Sequence, residues 1–299
     1  MSNVSINELM KDAQKRSYAV GYFESWDLES TLAVGNAAQN KNSPVIIGFS
    51  GIYLPSTEKV YKINLKVFAD MASQISRSIS VPSATIFNES PYLETVLESI
   101  DLGFDIVMWT DENISYEKQK ENIIKVVSKA HLNGAAVEAE ISSLPGAGEF
   151  ISQKPDNFKY TNAGSAKKFV EETSIDLLAV NIGQAHLHGR QKVRLAINKL
   201  KEIKKAVDIP LVLHGMSSVD EEDVKESIKN GINKVNISSL MKQAYLESIK
   251  NDILKLNPDS DPYLIIGSGF KQDINTRACI KVQEVVEKIM VLLGSAGKA

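Results

Sequence analysis

The stretch from residue 208 to residue 239, DIPLVLHGMSSVDEEDVKESIKNGINKVNISS, predicts a strand, a helix and a second strand in succession. Leu211–Leu213 and Lys234–Ile237 are short apolar runs typical of strands buried on both faces. Residues 220–231 lie between them with helical periodicity, and Asn and Gly at their far end form a helix stop. The stretch is therefore interpreted as one unit of a parallel sheet with crossover helices.

The same alternation extends over the rest of the chain. Eight short apolar runs are separated by segments of helical periodicity. These runs are Tyr18–Phe23, Pro44–Phe49, Ala84–Phe87, Asp105–Trp109, Ala135–Ile141, Leu177–Ile182, Leu211–Leu213 and Lys234–Ile237. They predict an α/β protein with a closed parallel sheet, the (β/α)8 TIM barrel. An open, doubly wound sheet is the alternative, but the count of eight and the lack of a GxGxxG turn favour the barrel.

Length and composition restrict the classes of protein that the chain can represent. Its 299 residues fit a single barrel, so we expect one domain over residues 1–299 with an extra helical segment at the C-terminus. A formal net charge of −3 gives no attraction to nucleic acid or to an anionic membrane. The single cysteine, Cys279, cannot form an internal disulfide, and no apolar stretch is long enough to span a membrane. We therefore expect a cytoplasmic protein.

Polar residues gather where the predicted strands end. They are Glu24, Ser25, Ser50, Asn88, Glu89, Thr110, Asp111, Glu140, His186, His188, His214, Ser238 and Ser239. In a barrel these positions converge on the C-terminal rim, where barrel enzymes keep their active sites. The connections at the opposite end are short turns without a comparable cluster. This asymmetry predicts an active site at the rim.

Histidines from two neighbouring strand ends predict a site for a divalent metal. His186 and His188 follow the sixth strand and His214 follows the seventh. Neutral imidazoles suit zinc and related ions, and a carboxylate is a usual further ligand, for which Glu89 and Glu140 are the candidates. If the strand continues, His186 and His188 face opposite sides, so only one of them is expected to be a ligand.

Small residues after the seventh and eighth strands predict a phosphate site. HGMSS at residues 214–218 and NISS at residues 236–239 offer backbone N–H groups and hydroxyls. The loops after these two strands form the usual phosphate site of barrels, often with the N-terminus of a helix. We therefore expect a phosphorylated small molecule as the ligand.

Long segments of the chain resemble the class II, metal-dependent fructose- and tagatose-bisphosphate aldolases. The segments lie at residues 81–90, 92–113, 126–144, 160–186, 208–239 and 294–299, and include VPSATIFNES, VEAEISSL, NIGQAH, VLHGMSS and GSAGKA. They cover nearly the whole chain in the family's order. The resemblance implies a TIM barrel that cleaves a sugar phosphate by an aldol reaction and forms a homodimer or homotetramer.

The resemblance also implies a set of metal ligands. Three histidines bind catalytic zinc in that family, and the zinc polarises the ketose carbonyl and stabilises the enediolate. His186 and His214 match two of them, but Asn88 and Glu89 stand where the family has an Asp-His pair. A site with two histidines and the Glu89 carboxylate is then implied, with manganese or iron as alternatives to zinc. The family aspartate accepts the proton of the substrate C4 hydroxyl, which the Asn88 amide cannot do; either Glu89 is the base or the reaction needs none there.

Further positions match the family individually. Glu149, in the long loop of residues 142–164, aligns with the carboxylate that exchanges a proton with the enediolate carbon. Glu140 matches a carboxylate near the metal, as a ligand or as support for one. The positions implied to bind substrate, phosphate or a monovalent cation are Gly183, Gly215, Ser217, Asn236, Ser238 and Ser239. Ser238 replaces an aspartate of the family, and GYFESWD at residues 21–27 replaces its GAFN pattern.

Three functions remain open from the sequence. The leading one is an aldolase-type lyase that acts on a ketose phosphate or a related sugar. The second is a metal-dependent isomerase or epimerase, which keeps the enediolate but needs no base at C4. The third is a binding barrel without turnover, since a fold does not determine function.

Overall fold

Eight parallel strands close into a barrel in the computed structural model, which describes residues 4–52, 59–111, 113–146, 151, 153–155, 158–187 and 191–299. The strands are β1 Val20–Ser25, β2 Val45–Ser50, β3 Ser83–Ser90, β4 Ile106–Trp109, β5 Ala136–Glu140, β6 Leu177–Ala179, β7 Leu211–Leu213 and β8 Ile232–Ile237. Each pairs with its neighbour in chain order, and β8 pairs with β1. The predicted TIM barrel is confirmed, and the open sheet is wrong.

Helices surround the barrel and close its lower end. They are α1 Ile6–Arg16, α2 Leu28–Lys41, α3 Leu65–Ser78, α4 Leu93–Asp101, α5 Tyr116–Leu132, α6 Ala163–Thr173, α7 Ile197–Ala206, α8 Glu221–Lys229, α9 Ser239–Ile253, α10 Pro262–Ile265 and α11 Ile274–Leu292. α11 is the last helix, and it packs against α2 and α9. None of the helices in the described ranges combines the length and hydrophobicity that a membrane-spanning segment requires.

Two strands, β3 and β6, differ most in length from the prediction. β3 continues to Ser90, although its apolar run stops at Phe87. β6 ends at Ala179, because the backbone N–H of Asn181 donates to Thr161 Oγ1 at 2.8 Å and its side-chain amide donates to Ser142 O at 2.9 Å. The Val180 N–H still donates to Val212 O at 3.1 Å, and from Asn181 onward the bonds to the preceding loop replace the sheet ladder.

The interior of the barrel is apolar at the bottom and polar at the top. Val20, Ala84, Ala136 and Val212 form one buried cluster with the apolar face of α1. Because every second residue of a strand faces the same side, later residues of these strands at even spacing also face inward. The residues of β8 that pair with inward-facing residues of β1 face inward as well. These residues are Tyr22, Glu24, Asn88, Glu138, Glu140, His214, Lys234 and Asn236. The alternation therefore delivers polar side chains from five strands, or from just beyond their ends, to the upper half of the barrel.

Candidate functional site

The end of β3 brings two consecutive side chains into the site. In a regular strand Asn88 and Glu89 would face opposite sides of the sheet. The register with β4 shifts between Phe87 and Ser90, and Glu89 has a φ of 48°, in the left-handed region. As a result Asn88 Nδ2 donates a hydrogen bond to Glu89 Oε2 at 3.0 Å, with both residues buried. Such a conformation costs on the order of 1–3 kcal/mol in a residue other than glycine, and strained residues of this kind cluster at functional sites.

His214, just after β7, lies between two carboxylates. Its Nδ1 is 2.9 Å from Glu89 Oε1, and its Nε2 is 2.8 Å from Glu138 Oε1. The imidazole is buried. Burial acts to lower the pKa of His214, but the two carboxylates raise it to about 10, which favours the protonated ring when no metal is bound.

Glu89, His186 and His214 form a group that could hold a metal ion. One ligand atom of each lies within 4.8 Å of those of the other two. Two imidazoles and a carboxylate are a donor set that divalent zinc, manganese and iron accept. Glu138, on the far side of the His214 ring, is the kind of partner that fixes the orientation of a histidine ligand. The described residues therefore fit a divalent ion that replaces the His214 Nδ1 proton.

Three further predicted residues are not part of this described group. His188, the alternative ligand, and Glu149, the predicted proton-exchanging carboxylate, lie outside the described residues. Glu140 is buried, and its Oε1 accepts a hydrogen bond from Thr110 Oγ1 at 2.8 Å. Burial is the main cause that raises the pKa of Glu140 to about 7, with a further contribution from Glu89. Glu140 was predicted either to bind the metal or to support a ligand, and its position favours the second role.

A buried ion pair below His214 was not predicted from the sequence. Lys234 Nζ lies 2.6 Å from Glu138 Oε2, and neither side chain has any exposed surface. Burial acts to raise the pKa of Glu138, but Lys234 and His214 together lower it to about 2. Lys234 also donates to Asn236 Oδ1, and Asn236 Nδ2 shares Glu138 Oε1 with the histidine. The period of two from Glu140 to Glu138, and from Asn236 to Lys234, is the signal that could have found them.

One cavity collects most of the predicted site residues. Those that line it are Asn88, Glu89, His186, His214, Gly215, Ser217, Asn236, Ser238 and Ser239. Gly183 is not among its described lining residues; it has a φ of 125°, and a Cβ there would lie 2.8 Å from Arg194 O, so the turn itself requires glycine.

The side of the cavity formed after β7 and β8 suits an anion. Ser239 Oγ donates to Ser217 Oγ at 2.9 Å, and both residues belong to the cavity wall. Ser239 is also the first residue of α9, a helix of 15 residues whose N-terminus opens onto the cavity. Gly215 has a φ of 64°, and a Cβ there would meet Leu144 at 2.9 Å. Hydroxyls and free N–H groups at a helix N-terminus are a usual arrangement for phosphate.

The β1 side of the cavity carries groups that the sequence predicted only in part. Glu24 of β1 forms an ion pair with Lys242 of α9. Lys242 was not singled out from the sequence, because a lysine in the first turns of a helix gives no signal of its own. Tyr22 lies two residues before Glu24 on the same inward face of β1.

Comparisons with known proteins identify close similarities over the whole barrel. The family model described as class-II fructose-bisphosphate aldolase matches residues 4–298. A fructose-bisphosphate aldolase of Staphylococcus epidermidis is 31% identical over 242 residues, which cover 80% of this chain and 82% of the relative. The corresponding protein of Staphylococcus aureus is 30% identical over the same length.

Solved structures of similar proteins have the same fold. The crystal structure of the YdjI aldolase from Escherichia coli K12 superposes with a TM-score of 0.79 and 26% identity, over 99% of both chains. A fructose-bisphosphate aldolase from Campylobacter jejuni superposes with a TM-score of 0.80 over 100% of this chain and 97% of the other. Its identity of 20% supports the fold alone.

Proposed function

Since this chain belongs to the class II fructose-bisphosphate aldolase family, we propose that it cleaves a phosphorylated ketose at a metal site made of Glu89, His186 and His214. Aldolase-type lyase activity, that of an aldehyde-lyase, follows from the family, which depends on a divalent metal. The observation that carries the proposed site is the convergence of these three side chains within 4.8 Å. The comparisons do not favour the isomerase or the binding barrel.

The proposed metal is zinc, with manganese and iron as alternatives for the same donors. A divalent ion held there would act as a Lewis acid that polarises the ketose carbonyl and stabilises the enediolate left by cleavage. Glu138 supports this role, because it holds the Nε2–H of His214 and leaves Nδ1 on the side of Glu89. The chain thereby presents a preoriented imidazole and a carboxylate oxygen to the ion.

The cavity wall after β7 and β8 is proposed to hold the substrate phosphate. Gly215, Ser217 and Ser239 would supply a backbone N–H and two hydroxyls there. Asn236 and Ser238 are proposed to bind oxygens of the sugar, and Gly183 to belong to the loops around the phosphate and a monovalent cation. These assignments extend the match with the family and are supported by the shared cavity.

Cleavage of the bond between C3 and C4 requires that the C4 hydroxyl lose its proton. The electrons of the broken bond remain on C3 as the enediolate, and C4 becomes an aldehyde carbonyl. Glu89 Oε2 is the acceptor that we propose, because Oε1 faces His214 whereas Oε2 faces Asn88. Asn88 then orients the hydroxyl without accepting its proton. Glu149 keeps its proposed role at C3, and it lies outside the described residues.

Assembly and location complete the proposal. Large apolar side chains are exposed at the end of α9 and in the segment after it: Ile253, Leu254, Tyr263, Ile266 and Phe270. They support the proposed homodimer or homotetramer, because a patch of this kind often marks a protein interface. The lone thiol of Cys279 is consistent with the proposed cytoplasmic location.

A substrate panel tests the proposed function. The metal-loaded protein is mixed with ketose 1-phosphates and ketose 1,6-bisphosphates, and the triose phosphate released is measured with a coupled reduction. We expect cleavage of at least one of them, a fall of more than about 100-fold after chelation, and recovery when zinc, manganese or iron is returned. Exchange of the C3 proton with solvent, without cleavage of any sugar, would contradict the proposal and favour an isomerase.

A further inference from the structure

The hydroxyl of Tyr22 has no hydrogen-bond partner within the described part of the chain. The side chain is 1% exposed, and its oxygen is buried. Tyr22 nevertheless belongs to the wall of the cavity that contains the proposed metal ligands. A buried hydroxyl without a partner is unfavourable, and native proteins rarely keep one unless a ligand or a bound water completes it.

Tyr22 lies beside a residue that lines the same cavity as the proposed reacting groups. In the register of β1 and β8, Tyr22 pairs with Asn236. The Asn236 side chain in turn reaches Asn88 Oδ1 at 3.4 Å. The Lys234 ammonium lies 5.1 Å from the centre of the tyrosine ring, within the range of a cation–π contact that holds the ring in place. The ring of Tyr22 is therefore held in position, while its hydroxyl has no partner among the described residues.

The surroundings keep the phenol in its neutral form. Burial is the main cause that raises the pKa of Tyr22, and the carboxylates Glu24, Glu89 and Glu138 raise it further. A neutral phenol is an O–H donor. Because this phenol is uncharged, it adds no charge to a site that already holds three carboxylates. It can still donate a hydrogen bond to an oxygen that gains negative charge.

We propose that Tyr22 is a further catalytic residue, whose hydroxyl donates a hydrogen bond to an oxygen of the bound substrate that gains negative charge in the transition state. The inference rests on the proposed aldol cleavage. No proton leaves Tyr22 in this role, because the proton of the C4 hydroxyl goes to Glu89.

The variant Tyr22→Phe tests this inference, because it removes only the hydroxyl. We expect kcat/KM for the best ketose phosphate to fall by about 100- to 1,000-fold, mostly through kcat, as for the loss of a donor to a developing oxyanion. The metal content and the midpoint of thermal unfolding should not fall, because the hydroxyl that is removed makes no bond in the described structure.

Tyr18→Phe is the matched control. Tyr18 is also 1% exposed and lies two residues before β1, but its hydroxyl donates to Asp12 Oδ2 at 2.8 Å at the closed end of the barrel. This control should lower the unfolding midpoint by a few degrees and leave kcat/KM within about twofold of the wild type.

Two results would overturn this inference and leave the proposed function standing. In the first, the wild type is active and Tyr22→Phe has a kcat/KM within threefold of it. In the second, Tyr22→Phe loses its metal or its stability together with its activity. A wild type that cleaves none of the sugars overturns the proposed function, and this inference with it.

Discussion

Replacing Lys234 with methionine is expected to lower the free energy of unfolding by about 3–5 kcal/mol, the usual cost of breaking a buried ion pair by removing one partner. Lys234 and Glu138 lie 2.6 Å apart, and neither side chain is exposed. Methionine fills a similar volume but leaves the Glu138 carboxylate inside the barrel without its ammonium partner. The loss is measured by urea unfolding, as a lower midpoint at an unchanged denaturant slope.

Lys66→Met is the matched control for Lys234→Met. Lys66 Nζ lies 2.8 Å from Asp70 Oδ2, a similar distance, but both side chains are more than 60% exposed. An exposed pair contributes about 0–1 kcal/mol, so this variant should unfold almost as the wild type does. The double variant Lys234→Met with Glu138→Gln should recover part of the loss, because the uncompensated charge is gone. A Lys234→Met protein no less stable than Lys66→Met would show that the ion pair does not stabilise the barrel.

Replacing His214 with alanine is expected to lower kcat/KM for the cleaved ketose phosphate by at least about 1,000-fold, since a Lewis acid contributes several kcal/mol to the transition state. The imidazole is the one proposed ligand held between Glu89 and Glu138. Its removal takes away a nitrogen donor and leaves the two buried carboxylates without the ring that lies between them. Steady-state kinetics with added zinc measures the loss.

Two further variants separate the loss of the ligand from a loss of folding. His186→Gln removes a second proposed ligand at a half-buried position and should lower turnover to a similar extent without the two unpaired carboxylates. His131→Ala removes an exposed histidine that pairs with Asp176 at 2.9 Å on the outside of the barrel, and it should keep turnover within about twofold. A His214→Ala or His186→Gln protein that is folded and retains more than a tenth of the wild-type kcat/KM would contradict the proposed ligand set.

The positions of the strands could be predicted because each is a short apolar run between segments of helical period. The bulge at the end of β3 could not. Alternation along the sequence places Glu89 on the outer face, and only the register with β4 turns it inward beside Asn88. Register depends on the neighbouring strand and cannot be predicted from the alternation of residues in one strand alone.

The candidate site was predictable where a residue type has a chemistry of its own at a strand end. His186, His214 and Glu89 were named as ligands for that reason, and they form the observed group. Glu138 and Lys234 were missed, because a charged residue inside an apolar run has no evident role until its partner across the barrel is known. Tyr22 was missed for a related reason, since the lack of a partner for its hydroxyl is visible only in three dimensions.

The central claim is that Glu89, His186 and His214 hold a divalent metal. The most direct test measures the metal content of the wild type, Glu89→Ala and Glu140→Ala by elemental mass spectrometry. We predict about one divalent ion per chain in the wild type and in Glu140→Ala, and almost none in Glu89→Ala at the same total metal. A wild type that takes up no zinc, manganese or iron, or a Glu89→Ala protein that retains the full amount while Glu140→Ala loses it, would contradict the site described here.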